Sequence, residues 1–462
     1  MTTETIDGAV AVAPALPAVR DRSFFGEPKA LGYLAFTEAW ERFSFYGMIG
    51  ILALYLGEAL LLPGRAEHVV GLGALRAGLE SLFGPLSTVA FASQIYGLYT
   101  GFVYFTPVFG GLIADRWLGR RRAVIAGALL MSAGHVAMAF DASFLAALAL
   151  LVTGCGLLKG NISAQVGGLY PEEDGEGRTR AFAIFSVGIN VGAVAGPLGV
   201  GLAAQLWGWH AGFGLAGLLM LLGLATYLAG YRHLPEAARV RRTTAKTAPP
   251  LRAHEWRVIA GLVGVMATTT FQSIIYYQNG NIGLVWIDRS VDLTLLGFRI
   301  PVAWFNSIDP FASIAGVPLL FAFWRWQTAR GREPREMGKI ATGAWLAAGA
   351  NLLLAVACLA GGRVPAVFPI AYDLLLGIAF LYYWPTLLAL VSGAAPAQVK
   401  ATLMGAAFLS IFVGNLIVGW IGGFYETLGP AAFWGLQAAI GAVGGLLAMA
   451  LAKPLERLLA AR

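Results

Sequence analysis

The sequence predicts an all-α polytopic membrane protein of twelve transmembrane helices in two six-helix halves, and three observations lead there. Of 462 residues, 58% are hydrophobic and 12% charged, with a mean hydropathy of +0.70, whereas soluble domains carry about 25% charged residues. Apolar runs long enough to cross roughly 30 Å of hydrocarbon lie near 30–57, 84–112, 121–140, 144–167, 181–205, 211–231, 256–287, 300–324, 338–360, 365–392, 401–424 and 430–452. None shows the alternation of a membrane β-barrel strand, so the backbone must be satisfied within helices.

The distribution of charge orients the chain. With the N-terminus inside, 25 of the 32 Lys and Arg residues fall on inside segments; Arg65, Arg76, Arg289, Arg299 and Arg363 lie outside, and Arg42 and Lys159 within spans. By the positive-inside rule both termini are expected in the cytoplasm. The net charge of +7 is therefore a topology signal, and no nucleic-acid partner is expected.

Taken in order, residues 1–29 have no apolar core followed by a cleavage site and are expected as a disordered cytoplasmic tail. A first six-helix bundle is expected over 30–231. Residues 232–255 form a basic cytoplasmic linker, polar and too short for a span. The second bundle should cover 256–452, with a cytoplasmic tail at 453–462. Cys155 and Cys358 fall inside apolar spans without ligand-like spacing, so no metal or disulfide is expected, and no cofactor.

The most informative local feature is FTEAWERFSFYG in the first span, which places Glu38, Glu41 and Arg42 at mid-membrane. A charge there costs roughly 2.5–3.5 kcal/mol on insertion scales, so such residues face a polar cavity and mark a path. At helical pitch the three share an arc of about 100°, and Glu38 and Arg42 are an i,i+4 pair. Lys159, in mid-span between Leu158 and Gly160, demands a cavity for the same reason. Between the second and third spans stands GGLIADRWLGRRR, where Asp115 can interact with the basic residues Arg116 and Arg120 and with helix ends, tying the two halves together in one state.

Two six-helix halves joined by a basic linker is the layout of major facilitator transporters, with a cavity between the halves. EAWERFSFYGM, GGLIADRWLGRRR, GLLKGNISAQVGGLYPEED and IFSVGINVGAVAGPL together resemble the proton-dependent oligopeptide transporter (POT) family of that superfamily. A weaker likeness continues through QNG, AWFNSIDP, the Pro385 region and LMGAAFLSIFVGN. The resemblance implies a major facilitator fold, proton coupling by Glu38, Glu41 and Arg42, and a substrate carboxylate held by Lys159 and Arg42. It also implies Tyr46, Tyr104 and Asn190 as pocket-lining partners. The chemistry agrees, because Arg offers a rigid fork and Lys a movable point charge.

The chain departs from the family pattern at several points. Ile49 stands where an arginine is usual, and Tyr277 precedes Gln278 where an acid is usual, so both charges of a gate pair are absent together. Phe380, five residues before Pro385, occupies the position of a glutamate on helix 10. Asp309, before Pro310 on helix 8, is expected to have taken over that acid's task, pairing with Lys159 or with the substrate ammonium. The bland alternative is that Asp309 caps a backbone break at Pro310, and Asp373 is the rival acid. Ala407 replaces a common tryptophan and is expected to enlarge the pocket.

These features imply a proton-coupled importer of di- and tripeptides working by alternating access in the cell (inner) membrane. The second reading is a transporter of the same fold for another amphoteric or anionic solute, such as an amino acid derivative. An enzyme is not expected, because the five histidines (His68, His135, His210, His233 and His254) are scattered and no nucleophile with a base is evident. Partners are thus a peptide, protons and the lipid bilayer, with the oligomeric state left open.

Overall fold

The computed structural model describes residues 23–171, 174–234 and 250–460. Twelve long helices follow one another up and down: α1 (Lys29–Tyr55), α2 (Thr88–Ile113), α3 (Arg120–Ala137), α4 (Phe144–Gly167), α5 (Gly175–Trp207), α6 (Trp209–Gly230), α7 (Ala253–Tyr277), α8 (Ile308–Thr328), α9 (Glu336–Leu359), α10 (Val367–Ala394), α11 (Lys400–Gly422) and α12 (Pro430–Ala460). Among the described residues, 11 helical stretches are long and apolar enough to cross a membrane. The twelfth helix is α3, whose 18 residues open on Arg120, Arg121 and Arg122. Its arginines sit at the end of the span and leave the apolar remainder to cross.

In the first half α1 packs on α5 and α6, and α4 on α2 and α3; in the second, α9 packs on α10 and α12, and α8 on α10. The halves meet chiefly where α2 lies against α11 and α5 against the start of α8. Small residues allow this approach, as is usual between membrane helices. A Cβ added at Gly97 of α2 would lie 2.5 Å from the Asn415 carbonyl oxygen and 2.7 Å from Gly419 Cα of α11.

Residues 23 and 460, the end of α6 and the start of α7 lie on one side of the bundle, called the terminal side here, and the opposite side is distal. Hydrogen bonds between the halves cluster on the distal side of mid-membrane. Ser93 donates to the Gly419 carbonyl at 2.9 Å, Asn281 to Ser93 at 2.6 Å and Thr100 to the Asn415 side-chain oxygen at 2.8 Å. Ser307 donates to the Val194 carbonyl at 2.7 Å and Trp304 to that of Leu198 at 3.0 Å. No side-chain hydrogen bond or ion pair joins the halves at the terminal ends of the helices among the described residues. The side-chain bonds that join the halves among the described residues therefore lie on the distal side and at mid-membrane.

Several boundaries differ from the sequence-based expectation. The distal loop after α1 contains a helix, Leu72–Phe83, too short to register as a span. Residues 23–28 are ordered, because Glu27 accepts from Tyr170 at 2.7 Å and from Arg180 at 2.9 Å; the rest of the expected tail, 1–22, lies outside the described residues. Most of the expected linker, 235–249, also lies outside them. α12 runs through residues 453–460, where a tail was expected. α7 continues through a π-turn (Asn279–Gly283) into Leu284–Ser290. α8 begins only at Ile308, after a 3-10 turn (Val302–Ser307). Asp309 and Pro310 thus sit in its first turn, where proline's missing N–H is not required. The backbone break lies just before Asp309 and is made by the 3-10 turn.

Candidate functional site

Between the halves at mid-membrane lies a cavity of about 270 Å³, near the lower end of the range for small-molecule pockets. The first half contributes Glu38, Arg42, Tyr46, Tyr96, Tyr104 and Lys159 to its wall; the second contributes Tyr276, Tyr277, Asn279, Asn306, Asp309 and Phe380. Two basic groups and Glu38 thus stand on one wall, and the carboxylate of Asp309 on the other. A cavity with that polarity suits a solute carrying both charges.

The α1 triplet is not symmetric. Arg42 Nη2 donates to Glu41 Oε1 at 2.6 Å and its Nε donates to Glu41 Oε2, so the two neighbours form a closed bidentate pair. Glu41 is fully buried and does not reach the cavity. Glu38 lies on the wall, with Oε1 3.3 Å from Arg42 Nε. Its second oxygen, Oε2, has no hydrogen-bond partner. Of the two acids, Glu38 is the one with a free lone pair beside the cavity.

Lys159 projects from α4 with its ammonium 4.5 Å from the centre of the Tyr104 ring, a cation–π contact. It forms no ion pair with Asp309 in this structure. Of the two partners expected for Asp309, Lys159 is not within ion-pair distance here, and both residues line the same cavity from opposite halves. The Tyr276 hydroxyl approaches Asp309 outside good hydrogen-bond geometry. The Tyr277 hydroxyl donates to that of Tyr104 at 3.1 Å and links the halves. Ile49 and Tyr277, at the missing gate charges, both line the cavity, so this neutral bond stands beside positions where an ion pair is usual.

Other sequence-derived residues fall elsewhere. Asn190 is off the wall because its neighbour Ile189 takes the cavity-facing phase of α5. Gln278 is fully buried behind the wall, where its Oε1 accepts from Asn281 at 3.2 Å. Ala407 is packed inside the second half and does not enlarge the pocket; the wall position belongs to Phe408, stacked edge-on with Trp384 at 5.3 Å. Asp115 faces Arg120 at 3.6 Å within its own half, and Arg116 is exposed. Sequence reasoning did not single out Tyr96, Asn279 or Asn306. The last two lie within the QNG and AWFNSIDP segments, whose polar residues in apolar surroundings are the signal that could have found them.

At the depth of the cavity the charges divide unevenly. The first half sets Glu38 and Glu41 against Arg42 and Lys159. The second half has Asp309 and Asp373, and its Lys and Arg residues all lie toward the helix ends or in the loops.

Comparison with known proteins draws these features together. The profile described as POT family matches residues 121–249 and 239–430. The chain belongs to the POT family. An uncharacterized transporter, YclF of Bacillus subtilis, is 29% identical, covering 94% of this chain and 95% of its own. A di-/tripeptide transporter of Lactococcus lactis subsp. cremoris is 27% identical over 95% of this chain and 98% of its own. A crystal structure of a peptide transporter POT in complex with sulfate is 28% identical, with a TM-score of 0.82 over 96% of this chain and 98% of that one. The POT fold thus extends to α1 and α12, beyond the residues matched by the profile. This POT protein is a multi-pass membrane transporter.

Proposed function

We propose that this protein imports di- and tripeptides together with protons by alternating access, in the cell's inner membrane with both termini in the cytoplasm. The observation that carries the reading is the opposition of charge across the cavity, with Arg42 and Lys159 on one wall and Asp309 on the other. A peptide's carboxylate would lie toward Lys159 and Arg42, and its ammonium toward Asp309. Tyr46 and Tyr104 would bond the peptide group, and Phe380 would pack against a side chain. Glu38, with its free oxygen, would take the proton, while Glu41 would hold Arg42 in place. The relative named as a di-/tripeptide transporter supports a peptide over another amphoteric solute. On this topology the distal side, where the halves are hydrogen-bonded, faces outward and the terminal side faces the cytoplasm.

Asn190 and Gln278, which lie off the wall, would act by shaping helix packing around the site. Asp115, Arg116 and Arg120 would engage the opposite half when the terminal side closes. The test is uptake of radiolabelled alanyl-alanine into proteoliposomes under an imposed proton gradient. Accumulation that collapses with a protonophore and is competed by other alanine-containing dipeptides is expected. Gradient-independent uptake, or failure of dipeptides to compete, would remove the reading.

A further inference from the structure

The least explained charge in the molecule is Asp373, in the distal half of α10. It has no exposed surface, and neither carboxylate oxygen has a hydrogen-bond partner. It does not line the cavity, and no cation pairs with it among the described residues. An ionised carboxylate so placed would bear a desolvation penalty of several kcal/mol with nothing to offset it. A merely structural role is better served by Asn or Leu, so the placement itself asks for a task.

Its surroundings supply one. α10 and α8 make their closest approach at Gly377, one turn from Asp373, where an added Cβ would lie 2.8 Å from Ala312 Cβ and 3.1 Å from Ser313 N. Ser313 donates there to the Gly377 carbonyl at 3.0 Å. Asp309 belongs to the same contact, because its carbonyl oxygen faces Gly377. Asp373 and Asp309 are therefore neighbours across the α8–α10 seam. From α7, Asn279 approaches Asp373 outside good hydrogen-bond geometry, and Asn279 is itself a cavity residue with an unpartnered side-chain oxygen. It stands at the start of the π-turn Asn279–Gly283, an irregularity frequent at functional sites.

The titratable groups facing Asp373 are thus few. α8 presents Asp309, α10 itself presents Tyr372, α7 presents the neutral Asn279, and the charged residues of α9 and α11 (Glu336, Lys339 and Lys400) lie at their terminal ends. Two neighbouring acids without a base repel one another when both are charged, which favours a proton shared between them.

We propose that Asp373 is a second proton-carrying site of the transport cycle, loaded from the cavity past Asn279 and emptied when Asp309 changes its partner. When a substrate ammonium pairs with Asp309, that carboxylate is held ionised and Asp373 keeps its proton. When substrate leaves, Asp309 accepts the proton from Asp373 and, lining the cavity, passes it to water on the terminal side; a proton from the distal side then reloads the pair. The inference rests on the proposed peptide symport for its coupling step.

Two measurements test it. In proteoliposomes, Asp373→Asn should lose gradient-driven accumulation of alanyl-alanine while keeping counterflow exchange, which needs no net proton movement. Wild-type accumulation in the variant overturns the proposal, and so does loss of counterflow along with uptake. Infrared difference spectroscopy across a pH titration reads the proton without substrate. A carboxylic C=O band that changes with pH in the wild type and is missing from Asp373→Asn is expected, and a band insensitive to pH overturns the proposal. If the Asn variant fails to fold, Asp373→Glu should displace that titration; an undisplaced titration overturns the idea. If wild-type protein takes up no alanyl-alanine at all, peptide symport falls, and the infrared result alone decides Asp373.

Discussion

Replacing Gly97 by alanine should prop open the distal contact between the halves. An ordinary contact begins at 3.4 Å and the new Cβ would lie 2.5 Å from the Asn415 carbonyl oxygen, so α2 and α11 must part by about 0.9 Å. The obstruction is backbone on both sides, which no rotamer change relieves. Parting of that size stretches the Thr100–Asn415 bond from 2.8 Å and the Ser93–Gly419 bond from 2.9 Å to about 3.7 and 3.8 Å, beyond useful hydrogen-bond length. Two bonds at roughly 0.5–1.5 kcal/mol each amount to about 1–3 kcal/mol, a shift of about 5- to 150-fold toward the distally open state. Spin labels at Glu67 and Asp292, on the distal loops of the two halves, report it by double electron–electron resonance once Cys155 and Cys358 are replaced. A longer distance should gain population in Gly97→Ala, with slower uptake. Wild-type distances together with wild-type turnover would refute the reasoning.

Three further outcomes follow from the site. Glu38→Gln should abolish gradient-driven uptake and retain counterflow, because the titratable carboxylate beside the cavity is lost while Arg42 keeps its bidentate pair with Glu41. Glu41→Gln should instead lower the melting temperature of the purified protein, since breaking a buried ion pair costs about 3–5 kcal/mol; equal behaviour of the two variants would contradict the asymmetry of the triplet. Asp309→Asn should raise KM for alanyl-alanine by roughly 10- to 150-fold, the worth of a charged hydrogen bond of about 1.5–3 kcal/mol. An N-acetylated dipeptide should show no difference between wild type and that variant, and an unchanged KM with an unchanged pH profile would show that Asp309 does not meet the ammonium.

Much of this could be read in the chain, for physical reasons. Spans declare themselves because hydrocarbon tolerates only long apolar helices. The charged residues at Glu38, Arg42 and Lys159 stand out because they are expensive there. What escaped depends on fractions of a turn and on contacts between distant segments. Glu38 and Glu41 are equivalent by pattern, and only the closed pair of Arg42 with Glu41 separates them. Asn190 misses the wall by one residue of helical phase, and a single sequence does not fix that phase. The short 3-10 turn before Asp309 leaves no mark in hydropathy, though it decides that Asp309 opens α8. The distal contact arises from bonds between residues more than 100 positions apart, such as Trp304 with Leu198 and Ser307 with Val194.

The uneven division of buried charge also bears on how far this protein can concentrate its cargo. Four acids against two bases at cavity depth leave two carboxylates without a basic counterpart. If each carried one proton per turnover, the proposed symport would move two. A charge crossing 100 mV gains about 2.3 kcal/mol and each 1.36 kcal/mol is tenfold, so one proton sustains a gradient of roughly 50-fold and two about 2,400-fold. The membrane voltage, the pH difference across the membrane and the number of carboxylates that carry protons together set the steepest gradient the proposed symport can hold.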